Sequence, residues 1–417
     1  MQETTVTLAV AGAGVRGSAY ADRCATGGAA TIVAVAERDP VRRAAFAERH
    51  GIPLERTFAD WRDLAAAGRL ADGIIVATLD HEHVEPAVRF AGQGYHILLE
   101  KPMATTEPDC QRIIDAVERS GSMLAVCHVL RYTPYTRLVR QLIAKGRIGT
   151  PVSVQHLEPV GWWHQAHSYV RGNWRREAES GPMLLTKSCH DIDWIMHVLG
   201  EVPSRVSSFG RLSHFRPDNR PAGAADRCLD CPVERDCAYS AKRLYLSCLG
   251  DPDRERWPLG AVTHDVTTEG VLAALRDGPY GRCVYGGDND VVDHQVVSME
   301  FPSGATASFT MTAFTPMAQR QTRIFGTRGY LEGDSRQVSV RDFVTGEVET
   351  FDTGTGHESQ IGHVEADDAL ADAFVAALAT GDRSLLSSDA RESLAGHRVV
   401  WAAELARRTG QVVEIPR

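Results

Sequence analysis

A glycine-rich turn between two short apolar runs is the feature that most constrains this chain. Residues 6–11 read Val-Thr-Leu-Ala-Val-Ala, residues 12–17 read Gly-Ala-Gly-Val-Arg-Gly, and a second apolar run at 31–36 ends at Glu37. This order is typical of the strand, glycine turn, helix and second strand of a dinucleotide-binding site. The alternative is a glycine-rich turn that binds no ligand, but this alternative does not explain why an acidic residue ends the second strand.

The three glycines and the acid have separate expected roles. Gly12 permits the tight turn, Gly14 lets the backbone approach a pyrophosphate, and Gly17 lets the helix pack closely on the strand. The Glu37 carboxylate can accept hydrogen bonds from the adenosine ribose and repels a 2′-phosphate, so NAD is favoured over NADP. NADP remains an alternative cofactor because of Arg38, since an arginine at this position can stack on adenine or bind that phosphate.

Composition places the chain among ordinary two-domain globular proteins. It has 417 residues, of which 43% are hydrophobic and 24% charged, with a net charge of −9. The negative charge disfavours nucleic acid and acidic membranes as partners, and no apolar run approaches the ~20 residues that span a bilayer. We expect no signal peptide, a cytoplasmic location and mostly reduced cysteines.

The order of apolar runs predicts an α/β fold with two domains. Strands and helices alternate up to residue 128, which indicates an N-terminal Rossmann domain at residues 1–128. Residues 129–417 are expected to form a second α/β domain with an open, mostly antiparallel sheet. Its expected strands lie near residues 152–157, 206–211, 293–301, 305–312 and 321–325, and helices near 365–379 and 388–408 close the chain. A segment rich in Pro, Gly and Arg, about residues 214–262, interrupts it.

Lys101 is the first candidate catalytic residue. Glu100-Lys101-Pro102 follows an apolar run at 95–99, and strand ends on this edge of a parallel sheet face the cofactor. An ammonium there can hydrogen-bond a substrate hydroxyl and favour its alkoxide. A solvated lysine is the alternative. The remaining residues expected to contact the dinucleotide are Val15, Arg16, Thr78, Leu79, His83, Glu100 and His128.

A polar stripe with a histidine is the second candidate. At helical spacing, Thr186, Lys187, His190 and Asp193 share one face, opposite an apolar face that includes Leu185 and Ile192. His190 has a suitable ordinary pKa to accept a hydroxyl proton. The alternative is an exposed polar helix face.

These motifs resemble the Gfo/Idh/MocA family of nicotinamide-dependent oxidoreductases. The resemblance implies a Rossmann domain, an α/β domain whose sheet often forms an oligomer interface, and a homodimer or homotetramer. It also implies that Lys101 and His190 lie beside the nicotinamide and a sugar or cyclitol hydroxyl. Thr186 stands where relatives commonly have an aspartate, so the Lys/Asp/His proton relay is incomplete in this chain.

A basic segment upstream of the stripe bears on the substrate. With Lys101, Lys187 and His190, the expected substrate-binding residues are Tyr132, His167, Arg171, Trp174 and Arg175. The cations suggest an anionic sugar such as a uronate or a sulfonated sugar. A solvated loop of mixed charge is the alternative.

Three functions are compatible with these residues. The favoured one is an NAD-dependent oxidoreductase that takes hydride from a secondary hydroxyl, with Lys101 polarising the hydroxyl and His190 as base. The second, implied by the resemblance, is an NAD-retaining glycosidase that works by oxidation, elimination, hydration and reduction. The third is a catalytically silent sensor of NAD or sugar.

Clustered cysteines in the inserted segment are a candidate metal site. Cys228, Cys231 and Cys237 have the spacing of a structural zinc site, with Cys248 as the preferred fourth ligand and His214 or His264 as others. Reduced thiols and a disulfide are the alternatives. A catalytic role is not expected for this loop.

Overall fold

The computed structural model describes residues 5–354 and 364–416, which form two compact units. The first unit contains the described residues up to Arg137 and those from 364 to Arg398, and the second contains the rest. The chain therefore returns to the first unit before it ends in the second. The single domain boundary after residue 128 stays a prediction.

The first unit is built on a parallel sheet with the strand order β3-β2-β1-β4-β5-β6. The strands are β1 Val6–Ala11, β2 Ala30–Ala36, β3 Thr57–Phe58, β4 Gly73–Val76, β5 His96–Leu99 and β6 Leu124–Val126. Its early helices are α1 Val15–Ala25, α2 Pro40–His50, α3 Trp61–Ala66, α4 Val84–Gly92 and α5 Glu107–Ser120. This order is that of a doubly wound dinucleotide fold, and it confirms the predicted Rossmann architecture.

Burial explains why these strands read as continuous apolar runs. Every residue of β4 and β6 is buried, as expected for parallel strands that helices cover on both faces. Leu8, Val10 and Ile75 are fully buried in a core that also contains Leu370 and Phe374 of a late helix, α14, at Val364–Thr380.

The second unit contains a nine-stranded sheet in the order β14-β13-β12-β11-β7-β10-β9-β8-β15. Its strands are β7 Pro151–Pro159, β8 Arg205–Arg211, β9 His294–Glu300, β10 Thr306–Thr312, β11 Gln321–Gly326, β12 Gly329–Gly333, β13 Gln337–Asp342, β14 Val348–Asp352 and β15 Val413–Glu414. Only β7 and β10 pair in parallel among these described strands. The predicted open, mostly antiparallel sheet is therefore confirmed.

The remaining helices lie outside the two sheets. They are α6 Pro134–Ala144, α7 Trp162–His164, α8 Glu177–Ser180, α9 Met183–Thr186, α10 Cys189–Leu199, α11 Ala241–Leu246, α12 Pro252–Arg256, α13 Thr268–Asp277, α14 Val364–Thr380 and α15 Ala390–Thr409. A π-helical turn at Gln165–Arg171 continues α7. Within residues 5–354 and 364–416, no helix is both long enough and apolar enough to cross a bilayer.

The segment that connects β8 to β9 has its own small core. Ala241, Tyr245, Leu259, Val271 and Leu275 are buried together there. The segment is therefore longer than the predicted insertion at 214–262, because Val271 and Leu275 of α13 belong to the same core and Tyr280 packs against it.

Candidate functional site

The glycine turn after β1 forms an open cradle. Gly12 has a φ of 94°, and a Cβ added to Gly17 would lie 1.9 Å from the Gly12 carbonyl oxygen, so α1 begins in close contact with the turn. A Cβ added to Gly14 would meet nothing within 4 Å, and Gly14 is the N-cap of α1. Free N–H groups at a helix start, beside open space, fit a pyrophosphate.

Glu37 is fixed by backbone donors next to this cradle. Its Oε2 accepts a hydrogen bond from the Ala13 N–H at 2.8 Å, and its Oε1 accepts one from the Asp39 N–H at 3.0 Å. The neighbouring Arg38 forms an ion pair with Glu82 at 2.8 Å. Acidic groups therefore surround Arg38, which makes this corner unfavourable for an added phosphate.

Lys101 follows a buried carboxylate that anchors the end of β5. Glu100 Oε2 accepts the Lys101 backbone N–H at 2.8 Å, and Oε1 lies 2.6 Å from Arg16 Nε. Arg16 in turn pairs with Asp367 of α14 at 2.6 Å. Burial alone would raise the pKa of Glu100, but Arg16 and Lys101 outweigh it and lower that pKa. Two predicted cofactor contacts, Arg16 and Glu100, are thus an internal ion pair that positions Lys101.

The other predicted cofactor residues of this unit lie at nearby strand ends. Thr78 and Leu79 follow β4, and Leu79 is exposed while His83 is fully buried. His83 Nδ1 lies 2.7 Å from the Pro102 carbonyl oxygen, which fixes the turn after Lys101. Val15 begins α1 and is also exposed.

Two more predicted residues are buried beside the carboxyl end of β6. The His128 ring lies 6.0 Å from that of His397, centroid to centroid. Tyr132, expected to bind substrate, accepts a hydrogen bond from the Ser387 N–H through its hydroxyl oxygen at 2.9 Å.

In the second unit, the predicted polar stripe is interrupted and buried. The chain forms α9 and α10, with Lys187 and Ser188 between them, and not one continuous helix. Thr186, His190 and Asp193 are each at most 3% exposed. The alternative of an exposed polar face is therefore wrong, since the stripe lies in the interior of its unit.

Arg320 joins this stripe to two buried carboxylates. Its Nε lies 2.5 Å from Asp191 Oδ1, and its Nη2 lies 2.9 Å from Glu158 Oε2. The same Nη2 lies 2.7 Å from His190 Nε2. A guanidinium can only donate, so this nitrogen of His190 accepts and the neutral ring carries its proton on Nδ1.

Further contacts complete this buried polar cluster. Lys187 Nζ lies 3.1 Å from Glu158 Oε1, and His156 Nε2 lies 3.3 Å from Asp191 Oδ1. Burial alone would raise the pKa of Asp191, but Arg320 lowers it well below its ordinary value. Asp191 therefore stays ionised at neutral pH.

Sequence reasoning missed Arg320, Glu158 and Asp191. Strand register explains the first two: Gln321 pairs with Leu157 across β11 and β7, so Arg320 and Glu158 meet at the end of that ladder. The available signal was a pair of opposite charges, Glu158 near the end of one predicted strand and Arg320 just before another. These two residues lie more than 150 positions apart, so the sequence does not show that they meet.

The predicted basic segment is mostly engaged in internal contacts. His167 is buried, its Nδ1 lies 2.8 Å from the Tyr245 hydroxyl, and burial lowers its pKa to about 3. Arg171 is 3% exposed and donates to the Tyr239 carbonyl oxygen. Arg175 pairs with Asp288 at 2.8 Å.

Trp174 and Lys187 complete the predicted substrate set. The Trp174 ring lies 6.0 Å from that of Tyr169, and Trp174 is partly exposed. Lys187, paired with Glu158, is the cation of this set that lies nearest to His190 in the sequence, three residues before it.

The predicted zinc ligands do not form a single-ion site. In the described ranges, no three His, Cys, Asp or Glu side chains are placed to hold one metal ion. Cys248 is fully buried in the small core of its segment and donates to the Leu244 carbonyl oxygen at 3.2 Å. The structural zinc site with Cys248 as fourth ligand is therefore not supported, because apolar packing holds that thiol.

Comparison with known proteins agrees with the fold and the cradle. Residues 6–128 match the oxidoreductase family's NAD-binding Rossmann fold, and residues 140–415 match its C-terminal α/β domain. A solved structure of levoglucosan dehydrogenase, in complex with NADH and levoglucosan, superposes with a TM-score of 0.71 at 20% identity and covers 99% of this chain and 100% of that one. At that identity the likeness shows a shared fold.

Three relatives are similar over part of their length. YteT of Bacillus subtilis is 26% identical over 63% of this chain and 60% of its own. The 2,7-anhydro-N-acetylneuraminate hydratase of Escherichia coli is 30% identical over 37% of this chain and 41% of its own. The 1,5-anhydro-D-fructose reductase of Ensifer adhaerens is 30% identical over 44% of this chain and 52% of its own. The chain thus spans about half the length of the curated relatives it matches, and the two domain matches together show that it belongs to the Gfo/Idh/MocA oxidoreductase family.

Proposed function

We propose that this chain transfers hydride between NAD and a secondary hydroxyl of a sugar-like substrate. The observation that carries the proposal is Lys101, which follows β5 in the matched Rossmann unit and whose backbone the Arg16–Glu100–Asp367 ion pairs fix. NAD, when bound, supplies the hydride acceptor. The Lys101 ammonium then donates a hydrogen bond to the hydroxyl and favours its alkoxide.

His190 is the proposed acceptor of the hydroxyl proton. In the present arrangement its Nε2 accepts from Arg320, so protonation of that nitrogen requires Arg320 to give up the contact. The Asp191 Oδ2 lies 3.5 Å from the same nitrogen and would stabilise the imidazolium. Asp191, and not the absent aspartate at position 186, is thus the proposed charge partner of the base.

The cofactor is proposed to be NAD and not NADP. Glu37 directly follows β2, the position from which an acid binds the adenosine ribose in such folds, and Arg38 is paired with Glu82. A 2′-phosphate would meet the Glu37 carboxylate.

The substrate is proposed to be a sugar or an anhydro sugar. Two relatives are named for anhydro sugars, which supports that class. An anionic sugar finds less support, because Arg171 and Arg175 are engaged in other contacts. Lys187 is likewise paired with a carboxylate, that of Glu158.

The second candidate is a cycle in which NAD is reduced and reoxidised on one substrate. A relative named as a hydratase supports it, since hydration of a sugar follows elimination in such a cycle. An NAD-retaining glycosidase is the form of this cycle that cleaves an anionic glycoside.

One experiment tests both candidates. The purified protein is heated, the released nucleotide is identified, and free sugars, anhydro sugars and aryl glycosides are assayed with and without added NAD. NADH formation from a free or anhydro sugar supports the oxidoreductase, whereas cleavage or hydration without net NADH supports the cycle. Lys101→Ala should abolish either activity while NAD binding persists, and Lys145→Ala, an exposed lysine of the second unit, serves as the control. Full activity in Lys101→Ala would contradict the assignment.

A further inference from the structure

A cavity of about 300 Å³ lies in the segment that connects β8 to β9. Its lining residues include four cysteines, Cys228, Cys231, Cys237 and Cys283. Cys283 is distant in sequence, but the Cys283 N–H donates to the Asp226 carbonyl oxygen at 2.8 Å and Arg227 forms a β-bridge with Arg282. The backbone therefore holds the fourth cysteine against the Cys-x2-Cys-x5-Cys motif.

A buried cation also lines this cavity. Arg171 is 3% exposed, and it donates from Nε to the Arg282 carbonyl oxygen at 2.8 Å and from Nη2 to Cys228 Sγ at 3.5 Å. Its Nη1 is buried and makes no hydrogen bond to any residue in the described ranges. None of the carboxylates described lies within ion-pair distance of Arg171, and Glu234 at the cavity binds Ser240.

The charge of Arg171 indicates what the cavity is built for. A buried cation without a counter-charge is costly, so the site calls for an anionic group. Neutral thiols do not supply that charge. Thiolates bound to a metal do, because ligation replaces each thiol proton by the metal and releases the proton to solvent.

The size of the cavity favours a polynuclear group over one ion. A volume of about 300 Å³ corresponds to roughly ten water molecules, and in the described residues no three ligating side chains converge on a single ion. Iron–sulfur clusters take four cysteine thiolates and spread them around a larger centre. We propose that this cavity binds an iron–sulfur cluster through Cys228, Cys231, Cys237 and Cys283, with Arg171 beside it as counter-charge.

The cluster is structural and independent of the proposed hydride transfer. It ties the strand-like residues around Asp226 to those around Cys283, in a segment whose own apolar core is small. Binding forms four iron–thiolate bonds and releases four protons, without a change in the oxidation state of the chain.

The test measures metal content in the full chain purified without oxygen. Iron, acid-labile sulfide and zinc are quantified before and after reconstitution with equal amounts of ferrous and ferric iron plus sulfide. We expect iron and sulfide in a 1:1 ratio, at about four of each per chain for a four-iron cluster, with a broad visible absorption that dithionite bleaches.

Two cysteine variants localise the cluster. Cys283→Ser should lose at least about nine-tenths of the iron, whereas Cys248→Ser should keep it, because that buried thiol of the same segment bonds to Leu244. Arg171→Gln should keep the iron but lose it faster to a chelator. The proposal is overturned if the wild-type chain holds no iron after reconstitution, holds zinc in its place, or if Cys283→Ser retains the iron. The wild-type metal content decides the question even where a variant fails to fold.

Discussion

Removal of Arg320 tests the buried polar cluster, because one substitution takes away the shared partner of two carboxylates. The guanidinium lies 2.5 Å from Asp191 Oδ1 and 2.9 Å from Glu158 Oε2. Breaking a buried ion pair from one side costs about 3–5 kcal/mol, since the other charge stays buried. Each carboxylate keeps at least one further partner, so we expect Arg320→Met to lose about 3 kcal/mol, the lower end of that range.

The loss should depend on pH. Burial alone would raise the pKa of Asp191, but Arg320 holds it well below its ordinary value. The wild-type ion pair therefore stabilises the fold above the unfolded pKa of about 4, and this is lost only as pH falls through the lower folded pKa. Without Arg320, burial raises the pKa of Asp191, and the folded variant gains a proton that relieves the unpaired charge. The stability gap between the two proteins should narrow from pH 7 to pH 5.

Urea unfolding followed by tryptophan fluorescence measures this gap. All tryptophans except Trp61 follow residue 137, so the signal reports mainly on the second unit. Arg323→Met, three residues further along in β11, is the control, because Arg323 is 59% exposed and its carboxylate partner lies 4.0 Å away. We expect the control to change stability by less than about 0.5 kcal/mol. Equal midpoints for the two variants, or a gap independent of pH, would refute the reasoning.

Four more substitutions test the cradle, the cofactor preference and one buried histidine. Gly14→Ala should have the melting temperature of the wild type but bind NAD at least about tenfold more weakly by calorimetry. Gly17→Ala should also have a lower melting temperature, because its Cβ would lie 1.9 Å from a carbonyl oxygen. Wild-type affinity in Gly14→Ala would exclude this cradle as the NAD site. Glu37→Ser should narrow the preference for NAD over NADP about tenfold in paired titrations, and an unchanged ratio would argue against Glu37 at the ribose. His167 stays neutral in the folded state because burial lowers its pKa to about 3. The free energy of unfolding of the wild type should therefore fall by up to about 1.4 kcal/mol per pH unit below pH 6.5, as the unfolded chain binds a proton there. In urea unfolding, His167→Phe should lack this contribution to the pH dependence.

The cofactor cradle could be predicted from the sequence because its determinants are local. Gly12, Gly14 and Gly17 act within one turn, and Glu37 follows from the end of the next strand. Five of the nine strands of the second sheet, β7 to β11, were also predicted, since burial alternates from residue to residue along strands such as β9. The predicted dimer or tetramer stays a prediction.

The interior contacts of the second unit could not be predicted in this way. Helical spacing placed His190 on a polar face but did not reveal the break at Lys187 and Ser188, where α9 ends. Cys283 was overlooked for a related reason, because a backbone bridge and not sequence spacing brings it to Cys228. Contacts of this kind depend on register between distant segments.

Three buried arginines differ in whether the protein itself supplies a carboxylate that neutralises their charge. Arg131 pairs with Glu392, and Arg320 pairs with Asp191 and Glu158, so each of these two cations has a carboxylate partner in its own unit. Arg171 is buried to the same degree but contacts backbone oxygens and one thiol, and no carboxylate among the described residues pairs with it. Since a fold that supplies counter-charges for two buried cations has no general reason to omit the third, the missing charge belongs to a group that the four cysteines hold.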